Sequence, residues 1–128
     1  MLADHVPGGF IAVDDMAAAV AFYGGVLGLE DHGFDGFAHR FRAGPVNLRI
    51  VKPPQGALIA DYTVMGWETP DIARDVAALT ARGVAFKRYP FFGLSQDQAT
   101  GVWTAPDGAK VAWFNDPAGN VLSLAQHV

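Results

Sequence analysis

The stretch AVDDMAAAVAFYGGVLGLE, residues 12–30, contains the pattern that decides the fold. Its apolar residues recur in steps of four and three, which is the spacing of an amphipathic helix. A matching series occurs in TPDIARDVAALTARG, residues 69–83, and a shift of 56 positions superposes Asp15 on Asp71. The chain therefore contains an internal repeat with one helix in each copy.

Each of the two helices has a predicted start and stop. Asp14 and Thr69 are predicted N-caps, because their side-chain oxygens can accept hydrogen bonds from the first turn. Gly28 and Gly83 follow the last periodic residues and are typical of helix C-termini. We expect the periodic apolar residues to be buried; they are Met16, Val20, Tyr23, Leu27, Ile72, Val76 and Leu79.

Extended segments surround both helices. One precedes each helix, and these are GGFIAV (8–13) and YTVMGWE (62–68). Three more follow each helix, at residues 29–33, 37–42 and 46–51 in the first copy and at 84–88, 111–115 and 121–125 in the second. The alternation of apolar and polar residues in them favours strands.

The order of these segments defines a module of strand, helix and three strands that occurs twice. Module 1 spans about residues 6–51 and module 2 about residues 61–126. KPPQGALIA, residues 52–60, is interpreted as a linker, because adjacent prolines prevent regular structure. Residues 89–109 have no counterpart in module 1 and are interpreted as an insertion.

Composition limits the classes of partner. The 128 residues suffice for a single domain, residues 1–128. Thirteen acidic residues against nine Lys and Arg give a charge of −4 without a basic run, so we expect neither nucleic acid nor a membrane as partner. The absence of cysteine excludes disulfides and thiolate chemistry. Without a signal peptide or a membrane span in the pattern, we expect a cytoplasmic protein.

The repeated module resembles the vicinal oxygen chelate superfamily, which includes glyoxalases, extradiol dioxygenases and bleomycin-resistance proteins. The resemblance rests on Phe22-Tyr23 followed by Leu27-Gly28-Leu29, and on Asp116-Pro117-x-Gly119-Asn120 within VAWFNDPAGNVLSL, residues 111–124. It covers nearly the whole chain. It implies an α+β fold in which two βαβββ modules form a cupped mixed-sheet half-barrel around a central cavity, and it implies a homodimer.

The resemblance also implies where a metal would be bound. Metal-dependent members place a ligand at the position of Ser123, and others at Gly8, at Val64 and, with a register uncertain by one residue, at Leu48 or Arg49. None of these side chains is a normal metal ligand. The histidines show no spacing typical of a metal site and are interpreted as surface residues; they are His5, His32, His39 and His127. We therefore expect no metal and no cofactor.

Strand alternation and the resemblance together predict which residues line the cavity. The candidate ligand-binding residues are Phe10, Asn47, Arg49, Tyr62, Val64, Glu68, Tyr89, Phe92, Trp103 and Ser123. Arg49 would hold an anionic or carbonyl group, and Glu68 would serve as an acceptor or general base. Alternatively, these two are solvated rim residues or a mutual ion pair, and Phe91-Phe92 buries the insertion or a dimer contact.

Ser123 has two readings of its own. Its hydroxyl either donates a hydrogen bond to a ligand oxygen or fills space while bonded to its own strand, and we favour the second.

Three functions fit these observations. The leading hypothesis is a metal-free small-molecule-binding protein of bleomycin-resistance type that holds an apolar or aromatic ligand. The alternative is a glyoxalase- or dioxygenase-like enzyme, either metal-free with Glu68 as base or using an atypical metal site. The third is a catalytically silent dimeric module whose aromatic residues contact protein. The sequence leaves open the ligand's identity, whether any reaction is catalysed, and whether the cavity forms within one chain or across a dimer.

Overall fold

The computed structural model describes all 128 residues and contains two four-stranded mixed sheets. The chain divides into two compact units, Met1–Ile59 and Ala60–Val128. Each unit has the order strand, helix, strand, strand, strand, so the α+β class and the repeat of two βαβββ modules are confirmed. No helix combines the length and the apolar character that crossing a membrane requires.

The first unit contains a helix and four strands after a short 3₁₀ turn, Leu2–Asp4. They are β1 (Gly8–Ala12), α1 (Met16–Val20) with its π-helical continuation (Ala21–Val26), β2 (Glu30–Phe34), β3 (Ala38–Ala43) and β4 (Val46–Val51). The sheet order is β1-β4-β3-β2. β1 runs parallel to β4, whereas the other neighbours are antiparallel.

The second unit repeats this arrangement. Its elements are β5 (Thr63–Glu68), α2 (Ile72–Ala81), a 3₁₀ segment (Pro90–Ser95), β6 (Trp103–Thr104), β7 (Lys110–Asn115) and β8 (Val121–Gln126). The sheet order is β5-β8-β7-β6, with β5 parallel to β8. Each sheet thus has one face that packs on its helix and one open face.

The helix-facing sides of the strands form the cores of the two units. In the first unit Leu48 and Ile50 of β4 are 1% and 0% exposed. In the second, Leu122 and Phe114 are fully buried. Of the periodic helix residues, burial is confirmed for Tyr23, Ile72 and Val76, whereas the others are only half-buried; these are Met16, Val20, Leu27 and Leu79.

The predicted N-caps were each wrong. Asp15 caps α1 by accepting a hydrogen bond from the backbone N–H of Ala18 at 3.0 Å, and Asp71 caps α2 in the same way. Asp14 instead accepts from the N–H of Ala57 in the linker at 2.9 Å. Asp14 and Asp15 both precede the apolar series, so the sequence alone does not decide which of them is the N-cap. The contact of Asp14 with the linker decides it, because it leaves Asp15 to cap the helix.

The first helix changes to a π-helix over its second half. The N–H of Leu27 donates to the carbonyl of Phe22 at 2.9 Å, five residues back. Gly24 lies in this widened turn, where a Cβ would come within 3.3 Å of the Phe41 ring on β3. The glycine therefore allows the helix to approach the sheet closely.

The predicted strand at residues 84–88 is also wrong. Phe86 makes a single bridge to Phe114, and the N–H of Lys87 donates to the carbonyl of Trp113 at 2.7 Å. The fourth strand of the second sheet is β6, which lies within the segment interpreted as an insertion. Pro90 ends the extended segment, because proline has no N–H to continue a ladder.

Candidate functional site

The open face of the first sheet carries three of the candidate residues. In the parallel pairing of β1 and β4, Phe10 is level with Arg49, meaning that the two are register partners on neighbouring strands, and Gly8 is level with Asn47. Phe10 and Asn47 are exposed, and Arg49 is half-buried. Since Leu48 is buried on the helix side, the register left open by the sequence is settled: Arg49 faces the open side.

Arg49 is held by a carboxylate from the turn between β2 and β3. Its Nη2 donates to Asp35 Oδ2, and its guanidinium carbon lies 5.9 Å from the centre of the Phe10 ring. The pKa of Asp35 is lowered, because the backbone N–H groups of Ala38 and Phe37 donate to its carboxylate and because Arg49 lies beside it. No pattern in the sequence marks Asp35 as the partner of Arg49.

The open face of the second sheet carries Ser123. This residue is level with Gly66 on β5 and with Trp113 on β7. A Cβ at position 66 would collide with Ser123 Oγ, so the serine occupies the space above the glycine. Ser123 Oγ makes no hydrogen bond within the chain, and the favoured reading of a filler bonded to its own strand is not supported.

An aromatic cluster adjoins Ser123 on this face; it comprises Tyr89, Phe92, Trp103 and Trp113. The Phe92 ring stacks on Trp103 at 4.7 Å and on Trp113 at 5.4 Å between ring centres. Tyr89 contacts Trp113 edge to face at 5.4 Å, and burial raises the pKa of its hydroxyl. Three of the four residues are predicted from the sequence, whereas the position of Trp113 follows only from its register opposite Ser123.

A buried glutamine anchors the segment that carries Tyr89 and Phe92. Gln96 is 2% exposed, and its Oε1 accepts from the N–H of Tyr89 at 2.8 Å. Its Nε2 donates to the carbonyls of Gly101 at 2.8 Å and Lys87 at 3.0 Å. All the hydrogen-bonding groups of this amide are therefore used, and the amide fixes the aromatic segment together with a single antiparallel bridge between Gln96 and Trp103. Nothing in the sequence pattern distinguished Gln96.

The remaining candidates lie in solvent. Tyr62 is 70% exposed, and Val64 is 40% exposed at the irregularity between Thr63 and Met65. The Glu68 carboxylate lies 3.3 Å from His127 Nε2, and both side chains are largely exposed. A general base usually lies in a cleft that holds the substrate away from water, so this exposed position does not favour catalysis by Glu68.

The positions implied as metal ligands do not fit a metal. Gly8 and Val64 have no donor, Arg49 presents a cation, and Ser123 Oγ packs over Gly66. Nowhere in the chain do three or more His, Asp or Glu side chains form a group that could hold a metal ion. His39 differs from the expectation of a surface imidazole, because only 14% of its side chain is exposed and its Nε2 lies 2.7 Å from Asp31 Oδ1.

Residues 3–124 match the model of the Glyoxalase/Bleomycin resistance protein/Dioxygenase superfamily, and the chain belongs to this superfamily. The resemblance inferred from the sequence is thereby confirmed. No curated protein matches the sequence.

Solved structures share the fold. A lactoylglutathione lyase from Agrobacterium tumefaciens is 20% identical, with a TM-score of 0.70 over 96% of this chain and 93% of that one. A superfamily member from Sphaerobacter thermophilus is 22% identical, with a TM-score of 0.72 over 99% and 100%. Another from Nocardioides is 17% identical, with a TM-score of 0.72 over 97% and 83%. At these identities the likeness concerns the fold alone.

Proposed function

We propose that this protein binds a small, planar, apolar or aromatic molecule without a metal, in the manner of the bleomycin-resistance branch of its superfamily. The observation that carries the proposal is the open face of the second sheet. There the small residues Gly66 and Ser123 are paired on neighbouring strands, and Trp113 is paired with Ser123 on the other side, so that its ring borders the small residues. Flat apolar surface with a few polar groups is the usual composition of a small-molecule site.

The polar group of this site is the Ser123 hydroxyl. Because it makes no hydrogen bond within the chain, it is able to donate to a ligand oxygen. The aromatic cluster is fixed in advance by Gln96 and by Ser95, whose Oγ accepts from Trp103 Nε1 at 3.1 Å. Ordering the rings before binding lowers the entropic cost of holding a ligand.

Tryptophan fluorescence tests this proposal. The protein is titrated with a panel of planar aromatic compounds and with aliphatic compounds of similar size. We expect saturable quenching by members of the aromatic set, because Trp103 and Trp113 adjoin the site. Trp113→Phe should remove most of the quenching.

Trp67 provides the matched control, since it lies on β5 level with the buried Leu124 and faces the helix side of the sheet. Trp67→Phe should keep the quenching. Full quenching in a Trp103→Phe, Trp113→Phe double variant would refute this site. The site would also be refuted if no aromatic compound quenched the tryptophan fluorescence of the wild-type protein.

We further propose that the protein is a cytoplasmic homodimer. Large apolar side chains remain uncovered in both units, among them Phe37 at 70% exposed and Tyr62 at 70% exposed. Uncovered apolar residues of this size are typical of protein interfaces. Sedimentation at micromolar concentration tests the dimer, and a monomer under these conditions would contradict it.

A further inference from the structure

Three arginines lie together on the open face of the first sheet. Arg40 on β3 is directly opposite Arg49 on β4, and Arg42 lies two residues along the same face of β3. Like charges that face each other across neighbouring strands repel and destabilise the pair. The arrangement therefore requires a negative group to offset the repulsion.

The chain supplies little of this negative charge. Asp35 Oδ2 accepts from Arg49, and the same oxygen lies 3.9 Å from Arg40 Nε. Glu30 is level with Arg42, but its carboxylate lies 3.5 Å from His32 Nε2 instead. Arg42 Nε donates to the carbonyl of Gly44 at 3.2 Å. One carboxylate oxygen thus serves two guanidinium groups, and the third has only a neutral acceptor.

Arg49 also has donors without partners. Its Nε is buried and makes no hydrogen bond, and the only hydrogen bond from its guanidinium is the one from Nη2 to Asp35. A buried charged donor without an acceptor is costly, and an acceptor from outside the chain is one physical reason for retaining such a group. Phe10, whose ring is beside this guanidinium and 64% exposed, is the only aromatic residue of β1.

We propose that this face binds a small aromatic carboxylate, with its carboxylate on Arg49 and Arg40 and its ring against Phe10. A carboxylate matches the planar fork of a guanidinium and accepts two hydrogen bonds from it. The site lies entirely within the first unit and uses none of the residues of the aromatic cluster. It is therefore an addition to the function proposed above and does not depend on it.

Asp35 acts in this site as an internal competitor. Its Oδ1 accepts from the backbone N–H groups of Phe37 at 3.0 Å and Ala38 at 2.8 Å, while its Oδ2 faces the arginines. An asparagine could keep the first two hydrogen bonds through its own Oδ1 and would remove the charge. Asp35→Asn should therefore preserve the turn and free Arg49 for an added anion.

Benzoate is the probe, with benzamide as its neutral counterpart of the same shape. Binding is measured at neutral pH by calorimetric titration, and the Nε–H signal of Arg49 is followed by NMR. We expect saturable binding of benzoate, a shift of the Arg49 signal, and no comparable effect of benzamide. Arg49→Gln should weaken binding by about tenfold or more, because a charge-assisted hydrogen-bond pair is lost.

Two further variants separate a specific site from general effects. Asp35→Asn should strengthen benzoate binding several-fold, which a purely structural role of Arg49 would not produce. Arg74→Gln on α2 removes the same charge from an exposed side chain of the other unit, paired with Asp75, and should leave binding unchanged. Thermal unfolding of each variant shows that it is folded.

Three outcomes would overturn the proposal. The first is the absence of benzoate binding to the wild-type protein at millimolar concentration. The second is binding that persists in Arg49→Gln. The third is equal binding of benzamide and benzoate, since this would show that the arginines do not recognise the negative charge of the carboxylate.

Discussion

The two sheets have the same strand order and each packs one face on a helix, yet their open faces differ in chemistry. The open face of the first sheet is charged, with Arg40 and Arg49 around the carboxylate of Asp35. The open face of the second is aromatic and contains small residues, with Trp113 beside Ser123. The repeat therefore preserves the architecture and not the surface chemistry.

The difference follows from strand alternation. Residues on the helix-facing side are constrained by packing; Ile50 in the first sheet and Leu122 in the second are both fully buried. Residues on the open side alternate with them and have no helix to fit. One module can thus acquire arginines and the other tryptophans without any change in how either sheet packs on its helix.

The largest expected effect tests how alike the two helices are. Val76→Asp should lower the free energy of unfolding by about 3–5 kcal/mol, because it buries an unpaired charge at a residue that is 3% exposed. Val20→Asp, at the equivalent position of α1, should cost less because Val20 is only half-buried. Denaturant unfolding measures both. Ala77→Asp on the exposed face of α2 is the control, and equal losses for positions 20 and 76 would contradict the comparison.

The next largest effect concerns the buried side-chain amide of Gln96, which anchors the aromatic segment of the second unit. Gln96→Ala should cost about 2–4 kcal/mol, because it leaves three backbone groups without partners. Tryptophan emission should shift to longer wavelength as the aromatic cluster loosens. Gln98→Ala is the matched control, since that side chain makes one hydrogen bond at 3.3 Å to the carbonyl of Gln96. A stability loss in Gln98→Ala as large as that in Gln96→Ala would argue against an anchoring role for Gln96.

A smaller effect compares one glycine from each sheet. Gly66→Ala should destabilise by about 1–2 kcal/mol, because its Cβ would meet Ser123 Oγ. Gly8→Ala should be neutral or slightly stabilising, since the nearest atom would be the Asn47 carbonyl oxygen at an ordinary 3.6 Å. Thermal unfolding compares the two. Adding Ser123→Gly to Gly66→Ala should recover part of the loss, and no recovery would show that the clash lies elsewhere.

The smallest expected effect is on metal binding. Ser123→Glu adds one carboxylate to an open face whose neighbouring residues, Gly66 and Trp113, offer no further ligand. One ligand is too few to hold a divalent ion, so calorimetric titration with zinc, manganese and nickel should show no tight binding. The aromatic surroundings should raise the pKa of the new carboxyl and weaken binding of an apolar ligand. Tight stoichiometric binding by the wild-type protein would reveal a metal site.

Periodicity predicted most of the fold, because apolar residues recur every three to four positions in an amphipathic helix and every two positions in a strand. The bounds of β4 were predicted to the residue, and the burial of Tyr23, Ile72 and Val76 followed from their spacing. The π-helical continuation of α1 could not be predicted, because it depends on the fit of Gly24 against Phe41. Residues 84–88 alternate like a strand, but only Phe86 and Lys87 contact the backbone of β7, and β6 pairs with the first two residues of β7 instead.

The candidate sites were predictable only in part, for a related reason. Alternation places Phe10, Arg49 and Ser123 on open faces, since this requires no knowledge of pairing. The partners of these residues depend on register and on loops. Asp35 reaches Arg49 from a turn fourteen residues earlier, and Trp113 becomes a neighbour of Ser123 only through the pairing of β7 with β8.

The anchoring of the aromatic segment by Gln96 has a consequence for protein engineering. Residues 90–95 form a 3₁₀ segment that contributes no strand to the sheet; the Gln96 amide holds it at the base, and Ser95 and the Phe92 ring hold it against Trp103. The segment is therefore a graftable loop, in which Phe91 and Leu94 point into solvent at 79% and 105% exposed. A library randomised at these two positions, with Gln96 kept, should vary ligand preference while its members melt close to the wild-type temperature.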